Sequence, residues 1–157
     1  MDRFQWLVSL HVTGVFLLLG GATTAGIFNV AALRREQPSE IALLLGLARL
    51  AVGATTLGLL VTLVFGLWLV HNVGYDWGDA WIVASLALWV LTGFLGDRGG
   101  RMQRKARVLA ERLAGEEDAP SAELRARLRD PVALALSWSS GLTALAILGL
   151  MIWKPGA

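Results

Sequence analysis

The sequence contains two histidines. They are the side chains best suited to hold a metal or a cofactor, because neutral imidazole is a common transition-metal ligand. His11 lies 23 residues before Arg34, and His71 lies 22 residues after Arg49. If both arginines mark the same headgroup level, antiparallel helices bring the two imidazoles to one depth, within about one residue's rise of 1.5 Å. Two histidines at one depth on neighbouring helices is the arrangement that bis-imidazole ligation of haem requires.

These residues predict a site for b-type haem or a porphyrin. His11 and His71 are the predicted ligands, and Gly14, one turn from His11, would give a porphyrin face room. The alternative is that both imidazoles are amphipathic side chains at a membrane interface. His71 together with Asp76 and Asp79 would suit a weak surface metal site. Carboxylates in such a turn are more commonly helix caps, and we predict no metal site.

Other catalytic chemistry has little support in the sequence. The chain has no cysteine, which excludes disulfides, thiolate metal sites and thiol catalysis. It contains no glycine-rich phosphate loop and no HExxH motif. Every Asp and Glu falls in a loop or at a helix end, so an ion-coupled transporter would lack its usual buried acid. The sequence therefore favours a non-catalytic protein.

Four long apolar segments must position these residues. The 157 residues are 55% hydrophobic with a mean hydropathy of +0.60, and a membrane crossing needs about 20 apolar residues. The sequence predicts an all-α fold, an integral membrane four-helix up-down bundle that forms a single transmembrane domain over residues 1–157. The predicted crossings are 6–33, 50–71, 80–96 and 131–153.

Capping residues and prolines mark the expected helix ends. Asp2 is the expected cap of the first helix, and Ser39 that of the second. We expect Ile41–Ala48 to lie at the membrane interface before the second crossing. Asp79 or Asp76 is the expected cap of the third helix. Asp130 followed by Pro131 is typical of the start of a helix, here the fourth crossing.

The loop 97–130 is the only long polar segment, and it carries an amphipathic pattern. Met102, Ala106, Leu109 and Leu113 recur at helical spacing, with basic residues on the other faces. This pattern predicts a separate interfacial helix lying on anionic lipid. A second short helix begins at Ser121. The predicted lipid-interface residues are Arg101, Arg104, Lys105 and Arg107.

The distribution of charge predicts the topology. The turn at 34–40 and the loop 97–130 hold eleven Lys and Arg residues, against two at the opposite face. The positive-inside rule then places both loops in the cytoplasm and both termini outside, in the inner membrane of a bacterium. Basic residues crowded beside apolar spans also argue against nucleic acid as a partner.

Small residues indicate where the helices pack. In lipid, close backbone approach at such residues holds helices together. The residues predicted to pack are Gly14, Gly21, Gly53 and Gly141. The same surfaces would suit self-association or a partner subunit, although packing within the bundle is the simpler interpretation.

Several short motifs resemble an uncharacterised family of bacterial four-helix integral membrane proteins, a domain of unknown function. The motifs are LHVTG (Leu10–Gly14), FGLWLV (Phe65–Val70) with its following aromatic turn, the basic loop after helix three and MIWKP (Met151–Pro155). The resemblance covers nearly the whole chain. More distantly, an early histidine in a small bundle is similar to the copper-resistance D-type proteins and the HemJ-type protoporphyrinogen oxidases. That resemblance implies copper passage or porphyrin handling at His11.

Three function classes follow from these patterns. The first, which we favour, is a non-catalytic accessory or assembly subunit of a larger membrane complex of respiratory or photosynthetic type. The second is a membrane protein that binds b-type haem or a porphyrin through His11, with His71. The third and weakest is a transporter of a metal or a small solute. The partners expected are membrane lipids and other membrane protein subunits.

Overall fold

The computed structural model describes residues 2–155, and its helices confirm the predicted all-α fold. The helices are α1 Arg3–Ala32, α2 Pro38–Val73, α3 Ala80–Glu116, α4 Ala122–Leu128 and α5 Pro131–Trp153. Residues 2–155 contain no strand. Four helical segments are long and apolar enough to cross a membrane: α1, α2, α3, and the stretch that contains α4 and α5. The chain is therefore an up-down bundle of four membrane helices.

The bundle consists of two helix pairs. Helix α1 packs along α2, helix α5 packs along α3, and the two pairs meet mainly where α2 contacts α3. We call the end that contains Asp2, the α2–α3 turn and Lys154 the terminal end. We call the opposite end, with the α1–α2 turn and α4, the loop end. Because α1 and α5 lie on the outer sides of the two pairs, the bundle is not closed between them.

Three predicted helix starts are confirmed. Asp2 caps α1 in a capping box: its carboxylate accepts a hydrogen bond from Gln5 N at 2.8 Å, and the Gln5 side chain accepts one from Asp2 N at 3.2 Å. Ser121 caps α4. Asp130 caps α5 by accepting from Val132 N at 2.8 Å, with proline at the first helical position. These caps are local, so their residue types suffice to predict them.

The predicted caps of α2 and α3 are wrong or incomplete. Helix α2 begins at Pro38, and its N-cap residue Gln37 makes no side-chain capping bond. Ser39, the predicted cap, lies inside the first turn and contacts Asp118 from the α3–α4 connection. At α3, Asp79 occupies the N-cap position without a side-chain bond. Proline is favoured at the first helical position because that position needs no N–H donor, so α2 starts earlier than the serine suggested.

Helix α3 continues well beyond the predicted end at Gly96. It runs without a break for 37 residues, which at 1.5 Å each is about 55 Å, against a hydrocarbon core of about 30 Å. A helical glycine costs about 1 kcal/mol but does not break a helix. Ion pairs spaced four residues apart support the extension. They join Asp97 to Arg101, Arg107 to Glu111, and Arg112 to Glu116.

The extension of α3 builds a small lobe at the loop end, and this corrects one expectation. The apolar face of residues 97–116 packs against the start of α2 and against α4, so it does not lie on lipid as a separate helix. Ile41 and Leu45 pack in this lobe while Leu43 is exposed, and the expected position of Ile41–Ala48 at the membrane interface stays a prediction. The buried core of this lobe is Ala32, Ile41, Leu45, Ala106, Leu109, Ala110 and Leu124.

Candidate functional site

His11 joins α1 to α2. Its Nδ1 lies 3.0 Å from the carbonyl oxygen of Thr62, and the half-buried ring lies against Gly66. A Cβ added at Gly66 would lie 3.0 Å from His11 Cε1, so the glycine is what allows the ring to approach. A polar side chain that bonds across two membrane helices stabilises their association.

The space beside Gly14 is filled by α2. A Cβ added at Gly14 would lie 2.7 Å from Thr62 N and 2.9 Å from Val61 Cγ1. Such distances are shorter than ordinary carbon contacts. The glycine that was expected to leave room for a porphyrin face therefore leaves room for a neighbouring backbone, and on this side of His11 the residues do not fit a porphyrin.

His71 lies apart from this packing. It is exposed on the last turn of α2, close to the α2–α3 turn. Asp76 in that turn accepts a hydrogen bond from Gly78 N at 2.9 Å. Residues 2–155 contain no group of three or more His, Cys, Asp or Glu side chains placed to hold a metal ion. A joint site of His11 and His71 stays a prediction.

Glycines form the contact between α1 and α2. A Cβ added at Gly21 would lie 2.7 Å from Ala51 O, and one added at Gly58 of α2 would clash with the backbone of Leu18. The buried residues of α1 recur at intervals of three, four or seven, which is the spacing of a coiled-coil seam. They are Leu7, Gly14, Leu18, Gly21, Ala25 and Ala32. That spacing is a sequence signal which identifies the packed face of α1.

At the other two predicted packing positions, Gly53 and Gly141, no neighbouring helix within residues 2–155 fills the space beside the glycine. A Cβ added at Gly53 or at Gly141 would meet no atom within 4 Å. Gly141 faces a cleft between α1 and α5, and Gly53 is exposed on the outer side of α2. A side chain at either position would therefore extend into open space, so both positions have room for another molecule.

The cleft between α1 and α5, called here the α1–α5 cleft, has a volume of about 940 Å³. It exists because α1 and α5 belong to different helix pairs. Three arginines, Arg34, Arg35 and Arg127, line it at the loop end. Its walls are mainly apolar. The larger apolar residues of the walls are Leu19, Ile27, Leu134, Trp138, Leu142 and Leu145.

The outward face of α2 is the second open feature. Gly46, Arg49 and Gly53 are three and four residues apart, which places them on one side of the helix. A Cβ added at either glycine would meet nothing within 4 Å. Arg49 is exposed, and within residues 2–155 it has no ion-pair partner. Exposed leucines flank this face, with Leu50 72% accessible.

Hydroxyl and indole groups connect α3 to its neighbours. Thr92 Oγ1 donates to Thr143 Oγ1 at 2.7 Å, and Ser140 Oγ donates to Thr92 O at 3.3 Å. Trp89 Nε1 donates to Leu59 O at 3.1 Å, which ties α3 to α2. Sequence reasoning missed these bonds, although Ser137, Ser140 and Thr143 at intervals of three mark the polar side of α5.

The four predicted lipid-interface residues lie on the extension of α3. Arg101 pairs with Asp97, and Arg107 pairs with Glu111 at 2.9 Å. Arg104 and Lys105 are exposed. With the apolar face of the extension covered by protein, any contact with lipid has to be made by the basic face, and that contact stays a prediction.

The fold and the packed seams define the class of the protein, a four-helix integral membrane protein. Residues 5–155 match the model of the family described as "Predicted integral membrane protein (DUF2269)". The chain belongs to this family, which confirms the resemblance drawn from its motifs. No curated protein and no solved structure matches the chain.

Proposed function

We propose that the protein is a non-catalytic accessory subunit that assembles with a larger membrane complex through the outward face of α2. The observation that carries this proposal is the combination of Gly46, Arg49 and Gly53 on one exposed face. In lipid, helices associate where small residues let their backbones approach. The glycines of the α1–α2 seam are all covered, whereas these two are not.

Arg49 supports a protein partner for this face. At the headgroup level a guanidinium can pair with a carboxylate of a neighbouring chain through two parallel charge-assisted hydrogen bonds. Arg49 lies eleven residues past the start of α2 and is exposed without a carboxylate partner among residues 2–155. A partner helix with an acidic or carbonyl-rich position at that level would complete the pairing.

The proposed setting is the inner membrane of a bacterium, with both termini outside and the loop end in the cytoplasm. The excess of Lys and Arg at the loop end supports this orientation. In that setting Arg101, Arg104 and Lys105, which are exposed, face the headgroups of the inner leaflet, where basic residues are attracted to anionic lipid. Arg107 is largely covered and pairs with Glu111, so it contributes less to this contact.

The test is site-specific photo-crosslinking in native membranes. A photoreactive amino acid at position 53 is expected to give one adduct of defined mass, and Gly46→Leu is expected to abolish it by blocking the close approach. A photoreactive residue at position 93, where Gly93 of α3 is equally open, serves as the control for random contacts. Equal labelling from positions 53 and 93, or an adduct that survives Gly46→Leu, would contradict the proposal.

Haem binding through His11 is the second candidate, and one observation favours it. Histidines that bind metals usually donate their other ring N–H to a carbonyl or carboxylate, which fixes the ring. The contact between His11 Nδ1 and Thr62 O has this form. Whether the protein binds haem is tested by an absorption spectrum of the detergent-purified protein, oxidised and then reduced with dithionite. A Soret band lost in His11→Ala would support haem, and a featureless spectrum from haem-supplied cells would exclude it.

A further inference from the structure

The α1–α5 cleft is elongated. It follows α1 from Leu19 to Ala31, a length of about 18 Å at 1.5 Å per residue, and continues past the end of the helix to Arg34 and Arg35. Its volume is about 940 Å³. The length is close to half of a hydrocarbon core of about 30 Å, so the apolar cleft suits the acyl chains of one leaflet.

The lining of the cleft changes from apolar to basic along its length. The end of the cleft farther from the loop end is lined by Leu19, Leu142 and Leu145. The loop end is lined by Arg34, Arg35 and Arg127. Gln103 is also close to that end and donates to Ser137 Oγ at 3.3 Å. This gradient matches an amphiphile that places its chains between the helices and its headgroup at the arginines.

The charge at the mouth is unbalanced. Arg35 is 3.8 Å from Glu40, and Arg127 is 2.9 Å from Glu123, but neither carboxylate lines the cleft. Arg34 is exposed and has no ion-pair partner among residues 2–155. Three arginines and no carboxylate thus line this end of the cleft, and a phosphate there would accept charge-assisted hydrogen bonds from guanidinium groups.

We propose that the α1–α5 cleft binds one molecule of an anionic phospholipid. Its acyl chains lie between α1 and α5, and its phosphate is held by Arg34, Arg35 and Arg127. This inference goes beyond the proposed assembly role, because it concerns a different face of the bundle and a different class of ligand. A bound lipid would also fill the gap that the two helix pairs leave open.

The test measures lipid binding by native mass spectrometry of the full chain in detergent. The probes are phosphatidylglycerol and phosphatidylcholine with identical acyl chains, each titrated separately. The expected result is one tightly held phosphatidylglycerol and weaker binding of phosphatidylcholine. A basic residue near a membrane surface contributes about fivefold to the binding of anionic lipid, so Arg34→Gln with Arg127→Gln should weaken phosphatidylglycerol binding about 25-fold.

Matched variants separate the cleft from general charge attraction. Arg104→Gln with Arg112→Gln removes the same charge from the α3 extension, outside the cleft, and should change binding by no more than about twofold at physiological salt. Gly26→Leu with Gly141→Leu adds side chains into open space of the cleft and should displace both lipids without unfolding the protein. Gly93→Leu, equally open but outside the cleft, should leave binding unchanged. Circular dichroism confirms that each variant is folded.

Several outcomes would overturn the lipid site. They are equal binding of the two lipids, equal losses in the two double-arginine variants, and full binding to the cleft-filled variant. If a photo-crosslink between the cleft and another membrane protein disappears in the cleft-filled variant while lipid binding persists, the cleft binds a protein partner and not a lipid. None of these variants changes the outward face of α2. A negative result for the lipid site therefore does not affect the crosslinking test at position 53.

Discussion

Asp118 caps helix α2 from 79 residues away. Its Oδ1 accepts a hydrogen bond from Ser39 N at 2.8 Å, and its Oδ2 accepts one from Ser39 Oγ at 2.6 Å. Asp118 adopts a positive φ of 47°, a conformation that aspartate tolerates better than most residues. Together with the Arg125–Glu36 ion pair at 3.1 Å, this contact fastens the α3–α4 connection to the start of α2.

Loss of this cap should loosen the loop end. We expect Asp118→Ala to lower the free energy of unfolding by about 1 kcal/mol, the usual cost of removing a carboxylate cap. Denaturant unfolding in detergent measures the change, and hydrogen exchange should localise it to the first turn of α2. Glu117→Ala is the control, because the side chain of Glu117 is exposed and makes no hydrogen bond or ion pair among residues 2–155. Equal effects of the two variants would show that the cap contributes nothing.

The α1–α2 seam should tolerate no added side chain. Gly58→Val would drive a side chain into the backbone of Leu18, and overpacking of this kind typically costs about 1–3 kcal/mol. Gly46→Val, in the same helix but facing open space, should leave the melting temperature nearly unchanged. Thermal melts of both variants in one detergent provide the comparison. A stable Gly58→Val protein would mean that α1 and α2 do not approach as closely as described.

His11 should contribute to stability through its bond to Thr62. Hydrogen bonds between membrane helices contribute about 0.6 kcal/mol on average and up to about 2 kcal/mol, so His11→Ala should lower stability within that range. His11→Phe keeps the bulk of a ring without a hydrogen-bonding group and should lose a similar amount. Unfolding in denaturing detergent measures both. If His11→Phe is as stable as the natural chain, packing and not the hydrogen bond is what the histidine provides.

A cation at the terminal end should hold α5 in place. Lys154 Nζ donates to Tyr75 OH at 2.8 Å and lies 5.5 Å from the centre of the Trp81 ring. Lys154→Met removes both contacts and should cost about 1 kcal/mol or more. Tyr75→Phe keeps the rings and removes only the hydroxyl, so its effect should be smaller. Unfolding in denaturing detergent measures both variants, and the reverse order of effects would assign the stability to the hydroxyl alone.

The proposed orientation can be read from single cysteines, since the natural chain has none. Asp76→Cys in the α2–α3 turn should react with a membrane-impermeant maleimide on intact cells stripped of their outer membrane. Glu117→Cys at the loop end should react only after the inner membrane is permeabilised, because the basic end is expected in the cytoplasm. The opposite pattern would invert the topology without altering the fold.

Local patterns predicted the parts of this fold that depend on local interactions. The capping box of Asp2 and the start of α5 at Asp130 could be predicted, because the backbone groups that these side chains bind lie within three residues. Ser39 was mispredicted as the cap because Pro38 already occupies the first helical position of α2. The group that does cap this turn, Asp118, could not be predicted because it lies 79 residues away. The predicted end at Gly96 was also wrong, because burial against α2 and ion pairs along α3 outweigh the glycine cost there.

The site was less predictable than the fold for a related reason. The shared depth of His11 and His71 follows from counting residues, but depth does not say which way a side chain points. The orientation of His11 toward Thr62 depends on Gly66, which lies more than fifty residues along the chain. The α1–α5 cleft depends on which helices pair, and neither hydropathy nor spacing specifies that pairing.

The unbroken course of α3 joins two features at the loop end. Met102, Gln103 and Ala106 of this helix line the cleft, and Ala106 and Leu109 also belong to the core of the lobe. Glu116 ends the helix at the connection that Asp118 fastens to α2. One continuous helix therefore supports both the wall of the cleft and the lobe, so a substitution that shifts this stretch of α3 should alter both together.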